Sequence, residues 1–126
     1  MYKLLLIALG GGAGTLARFG THLLTRGLAE RATFPIGTLA VNLIGCFLIG
    51  YLQGLLVERL VLREEYRLAL IVGFLGGFTT FSTFGWDAAT LLRDGQTVRA
   101  MIYVTASNVL GVALVFAGYG VSRLRV

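Results

Sequence analysis

The chain is poor in the residues on which most soluble enzymes depend. Its 126 residues include one cysteine, one histidine, one proline and one tryptophan, and only 13% of it is charged. Cys46, standing alone, can neither close a disulfide within the chain nor build a thiolate metal cluster, and it reads as a small buried helix residue. His22 lies near a predicted membrane boundary. With no paired carboxylates, nucleophile elbow or phosphate loop elsewhere, enzyme chemistry finds little support. The glycine cluster GGGAG, Gly10 to Gly14, sits inside an apolar run and is a weak nucleotide signal. A soluble domain this small must cover itself with charge. A chain that is 56% hydrophobic cannot, so it falls in the membrane class, as one domain by length. The net charge of +5 does not point to nucleic acid, because the basic residues sit mainly in short gaps between apolar runs rather than in a patch.

What is present is apolar sequence in long runs. Four segments, about residues 4–24, 36–57, 68–86 and 100–122, reach the roughly 20 residues of helix that a bilayer requires. The predicted fold class is an all-α membrane protein with four transmembrane helices. Lys3 and the first run resemble a signal peptide, but the apolar character continues past GGGAG without a clear cleavage site, so a spanning segment is expected. The gaps are short. Pro35 suits the start of the second helix, and Asp94-Gly95 is a turn signal before the fourth. No soluble domain fits between them, so the protein must work inside the lipid bilayer.

Charge leaves the orientation open. The side holding both termini and the second gap carries Lys3, Arg59, Arg63, Arg67, Arg123 and Arg125. The other carries Arg26, Arg31, Arg93 and Arg99, with Arg18 unassigned. So weak a bias allows either one fixed orientation or two opposed insertions that pair about an in-plane two-fold axis. The 18 glycines, among them the GxxxG pair Gly50 and Gly54, argue for close helix packing and for oligomers.

Polar groups inside the apolar runs carry the most information, since each is costly without a partner. Thr38 and Asn42 share a face of the second helix. The asparagine is either glue between helices or a donor aimed at an anion. Tyr103 and Ser107 share a face of the fourth helix, with Asn108 at another angle. A tyrosine near a helix end can be a plain interfacial anchor, but Ser107 lies too deep for that. The third segment contains GGFTTFSTF, Gly76 to Phe84, with two glycines, four hydroxyls and three phenylalanines. This stretch makes a poor continuous helix and predicts a break in mid-membrane. Freed carbonyls there can bind a cation, and a half-helix N-terminus favours an anion. Phe81 and Phe84 are either core residues or rings whose positive edges meet an anion. Arg18 lies roughly 21 Å of helix rise into the first segment, where it either snorkels or holds a positive potential at a vestibule. Asp87 is either a boundary charge or the partner of an arginine.

Four stretches in this order, GGGAGTLARF, GTLAVNLIGCFLIG, GGFTTFSTF and YVTASNVLG, resemble the Fluc (CrcB) family of fluoride channels over nearly the whole chain. The resemblance implies an antiparallel, dual-topology homodimer in the plasma membrane (the inner membrane of bacteria) that passes fluoride passively out of the cell and so gives fluoride resistance. It implies two pores built from both subunits. Phe81 and Phe84 match the ring-edge pair beside the ion path, and Asn42 the pore asparagine. Thr38, Ser82, Thr83, Tyr103 and Ser107 are candidates for the polar track. The carbonyls of Gly76 and Thr79 match a helix break that holds a central structural Na⁺, and Arg18 matches the vestibule arginine. Asp87 stands where the family usually has glutamate, which puts a gating or entry role there in question. Cys46 occupies a position often held by another small residue, and Thr15 one where alanine is common.

The physics of fluoride agrees with that set. The ion is small and strongly hydrated, so a pore must replace its water with donors without trapping it. The alternative is a small dual-topology multidrug or cation exporter, which would need a carboxylate inside a helix. The first segment has none. A third reading, a non-transporting membrane subunit, would need no polar track.

Overall fold

The computed structural model describes residues 1–58 and 62–124. Arg59 and Arg125, two of the basic residues weighed for orientation, lie outside the described residues. The described elements are helical: α1 Tyr2–Ala32, α2 Ile36–Glu58, α3 Glu64–Arg67, a π-helical stretch Leu68–Leu75, α4 Gly76–Phe78, α5 Phe81–Arg93 and α6 Thr97–Leu124. Among the described residues four stretches are long and apolar enough to cross a membrane: Tyr2–Ala32, Ile36–Leu56, Glu64–Arg93 and Thr97–Leu124.

These helices overrun the apolar segments, because helical hydrogen bonding continues past the hydrocarbon edge until the chain meets a turn. α1 runs on to Thr33, which takes the left-handed conformation (φ 50°, ψ 46°) and returns its N–H to the Ala29 carbonyl. Pro35 then sits immediately before α2, and its carbonyl accepts from the Leu39 N–H at 3.1 Å. α5 stops at the Asp94-Gly95 turn, where Gly95 has φ 75°.

Two helix pairs make up the bundle. α1 lies along the third span, and α2 lies along α6. Both pairs touch backbone to backbone, which only glycine permits at these positions. A Cβ added to Gly10 or Gly14 would overlap the carbonyl oxygens of Ala69 and Phe74. The facing helix answers in kind, since a Cβ on Gly77 would overlap Gly11 O and one on Gly73 would stand 2.7 Å from Ile7 O. In the second pair, Gly50 meets Val115 O, Gly54 meets the Ser122 hydroxyl, and Gly118 meets Phe47 O. The GxxxG pair of α2 therefore packs against α6 of the same chain.

The third span is irregular. Its first eight apolar residues wind as a π-helix, which is rare and frequent near functional sites. Gly76 and Gly77 remain helical. Thr79 (φ −86°, ψ 161°) and Thr80 (φ −153°, ψ 120°) are extended, and helix resumes at Phe81.

The close approach of α1 to the third span makes a clear prediction. Gly14→Val should destabilise the protein by roughly 1–3 kcal/mol or prevent its assembly, because Phe74 O is backbone and cannot swing away. Gly12→Ala, where a Cβ meets nothing within 4 Å, should stay within about 0.5 kcal/mol of the parent. Thermal unfolding in detergent reads both.

Candidate functional site

Once Thr80 turns extended, its peptide group has no helical partner. Asn42 of α2 provides one on each side. Its Oδ1 accepts from the Thr80 N–H at 2.8 Å, and its Nδ2 donates to the Thr80 carbonyl at 2.9 Å. Both hydrogen bonds are needed, because unsatisfied backbone in a bilayer costs several kcal/mol. One Nδ2 hydrogen is left over. Asn42 thus joins α2 to the third span, the helix-to-helix glue of one sequence reading.

The Thr80 side chain restarts the helix. Its Oγ1 accepts from the Thr83 N–H at 3.2 Å, the ordinary duty of an N-cap, and donates to the Thr83 hydroxyl at 3.0 Å. The Ser82 hydroxyl lies 3.4 Å away. Thr79 keeps its N–H on Leu75 O at 3.0 Å, and its carbonyl accepts from Arg18 Nη1 at 3.3 Å. Because the Thr80 N–H has gone to Asn42, the Gly76 carbonyl loses the amide that would complete its helical turn.

Beside this junction lies a cavity of about 430 Å³. Of the candidate site residues, Asn42, Gly76, Thr79, Phe81, Phe84 and Ser107 line it. Among the described residues the Ser107 Oγ is buried without a hydrogen-bond partner, as is the Thr90 Oγ1. Among the described residues that line this cavity none is acidic. The rings of Phe81 and Phe84 stand 5.5 Å apart at 39°, and Phe81 is 83% exposed on the single chain.

A second cavity, about 360 Å³, is lined by Thr38, Thr83 and Asp87 together with His22 and Arg26. Two links join it to the first. One is the Thr80–Thr83 hydroxyl contact, with Thr80 on the first wall and Thr83 on the second. The other runs through Tyr103, fully buried at 0% exposure. Its ring stands 5.3 Å from Phe84 and edge-on to Phe34 at 5.5 Å, and its hydroxyl donates to Asp87 Oδ2 at 3.2 Å. Thr38, 2% exposed, is buried at the wall of the second cavity.

Tyr103 therefore lines neither cavity but forms the partition between them. Ser82 is exposed and lines neither, and Arg18 reaches the site only through the Thr79 carbonyl. Asp87 is partnered by a tyrosine rather than by an arginine. Sequence reasoning missed Thr80 as a site residue. The signal was there: a threonine just before a resumed helix, three residues ahead of Thr83, is a capping pattern.

The family model described as CrcB-like protein, Camphor Resistance (CrcB), matches residues 5–119. Among similar proteins is the fluoride-specific ion channel FluC of Solibacter usitatus, 49% identical over 96% of this chain and 98% of its own. The fluoride-specific ion channel FluC of Nitrosococcus oceani is 43% identical over 97% of each chain, and that of Aquifex aeolicus is 44% identical over 90% of each. A match covering nearly all four spans leaves one conclusion: this chain belongs to the CrcB family, as a multi-pass integral membrane protein.

Proposed function

We propose that the protein is a passive fluoride channel rather than an enzyme, and that its ion path follows the seam from the Asn42 cavity past Tyr103 to the Asp87 chamber. The observation that carries this is the makeup of the first cavity. An amide with a hydrogen to spare, a buried hydroxyl without a partner and two phenyl rings face one space that has no carboxylate. Donors replace the water of a small anion, while ring edges give a weakly positive surface that does not hold it. Thr38, Thr83 and Tyr103 continue the polar track, Ser82 stands at its edge, and Arg18 keeps positive charge near the entrance. The same cavity speaks against a cation exporter, whose substrate needs a buried carboxylate. Asp87, the acidic residue nearest to it along the seam, is already engaged by Tyr103.

In this reading two copies pair antiparallel, and the interruption of the third span lies in mid-membrane at their contact. The exposed Phe81 and the open side of the first cavity support this, since a second copy would cover both. The oxygens at the junction fit a structural Na⁺. Carbonyls suit a hard cation, and the Gly76 carbonyl has lost the amide of Thr80 as a helical donor. Gly76 and Thr79 of both copies would hold the ion, which supplies positive charge where backbone oxygens crowd together.

Three outcomes follow. In proteoliposomes the protein should pass fluoride with no proton or drug gradient. Phe81→Ile should cut that flux at least about tenfold, because an aliphatic side chain offers no ring edge to the ion. Asn42→Asp should abolish flux and also cost about 1–3 kcal/mol, because a carboxylate cannot donate to Thr80 O. Unchanged flux in both variants would reject the assignment.

For the antiparallel arrangement, a Lys3→Cys variant in a Cys46→Ser background should label to about half with an impermeant thiol reagent in sealed vesicles. Labelling of all copies or of none would overturn it.

Replacing Na⁺ by a bulky organic cation should destabilise the purified dimer, by up to about 3 kcal/mol if the ion normally saturates its site. An unchanged unfolding temperature would remove Na⁺ from the account.

A further inference from the structure

The second cavity contains a residue that the fluoride-channel reading does not use. His22 of α1 lines it together with Thr38, Thr83 and Asp87, so the only imidazole in the chain opens on the same chamber as the end of the polar track. The ring is held in place by a missing side chain. A Cβ on Gly37 would stand 2.5 Å from His22 Nδ1 and 3.0 Å from its Cε1, so the ring fills the space over the first turn of α2. Among the described residues, the charged groups that line the chamber are Arg26 and Glu30 of α1 and Asp87 of α5. α2 contributes none, and α6 acts there through the Tyr103 hydroxyl on Asp87. Arg26 is held by Glu30 at 2.9 Å, while Arg99 of α6 turns to Thr33 and Gln96.

Two carboxylates against one guanidinium leave this chamber one negative charge in excess. That repels an anion at the point where it must enter or leave. Arg26 cannot correct the balance, since it is paired and its side chain is largely in solvent. A proton on His22 can. Histidine is the side chain whose charge changes in the physiological pH range, and here it would bring the chamber to neutrality.

We infer that His22 is a rate-setting residue of the ion path, whose protonation removes the anion barrier of the Asp87 chamber and makes conduction rise as pH falls. The inference rests on the proposed fluoride path and names a residue and a regulation that the path by itself does not supply. Acid raises the conductance because the proton adds positive charge beside the passing anion. The effect should be about 2- to 10-fold, as expected for one unit charge acting over several ångströms in a partly wet site.

The test is fluoride current through the whole reconstituted protein in planar bilayers at pH 6 and pH 8, with the leak of undissociated acid subtracted from protein-free membranes. The parent should conduct several-fold better at pH 6. His22→Gln should conduct at both pH values at the level the parent shows at pH 8, and His22→Lys at both at the level it shows at pH 6. Because there is a single histidine, its imidazole NMR signal can be followed in the parent without assignment, and its midpoint should coincide with that of the current. This second readout stands even if a variant fails to assemble. A parent current that does not vary with pH, a pH response that survives in His22→Gln, or midpoints that differ by more than about one pH unit would each overturn the role of His22 while leaving the channel reading intact. Absence of fluoride current at either pH would instead defeat the channel reading itself.

Discussion

A main chain that leaves its helix among apolar neighbours must find new partners for its peptide groups. In this protein that need is met largely by one side chain. Asn42 takes the N–H and the carbonyl of Thr80 at once, so the chain can run extended for two residues without stranding either group. The rest follows from that pairing. The Thr80 hydroxyl is placed to cap α5 and to touch Thr83. The cap starts α5 at Phe81, which sets both phenyl rings beside the cavity. The amide borrowed by Asn42 is the one that would have closed a helical turn on the Gly76 carbonyl. An aliphatic residue at position 42 would give up all of these together, which is why an asparagine is tolerated inside so apolar a helix.

On the proposed path the two cavities divide the work between them. The first offers donors and phenyl rings, with no acidic residue among the described residues that line it. The second carries both signs of charge. Between them stands Tyr103, without solvent exposure, tied to an aromatic cluster on one side and to Asp87 on the other. The aspartate differs from a glutamate in reach, and its short side chain is met here by the tyrosine hydroxyl at 3.2 Å. Selectivity on this reading belongs to the first space and access to the second.

Much of this was legible in the sequence, for identifiable reasons. The four spans follow from the length of the apolar runs, and Pro35 and Asp94-Gly95 mark turns because their backbone preferences are local. The helix ends were less legible, since hydropathy records where lipid ends rather than where hydrogen bonding does. The glycines announced close packing, but not the partner. Gly50 and Gly54 look like an association motif, and the contact they make is with α6 of their own chain. Thr80 was hidden among four hydroxyls because its importance depends on Asn42, 38 residues away. The engagement of Asp87 by Tyr103 is likewise a tertiary event without a local sign. The resemblance to CrcB proteins brought candidate residues forward, and the structure shows which of them share a space.

The π-helical stretch, Leu68–Leu75, has a consequence for how this protein can change over time. Helices elsewhere in a membrane protein absorb the loss or gain of a residue at their ends. Here an unusual winding lies between an anchored beginning, glycine against glycine with α1, and a fixed finish at Thr80. Loss of a single residue from the stretch would turn everything downstream by about 100° and carry both phenyl rings away from their cavity. The stretch behaves as a phase-setting spacer. Apart from Gly73, its amino acids can be exchanged for others of similar bulk, whereas their number cannot drift.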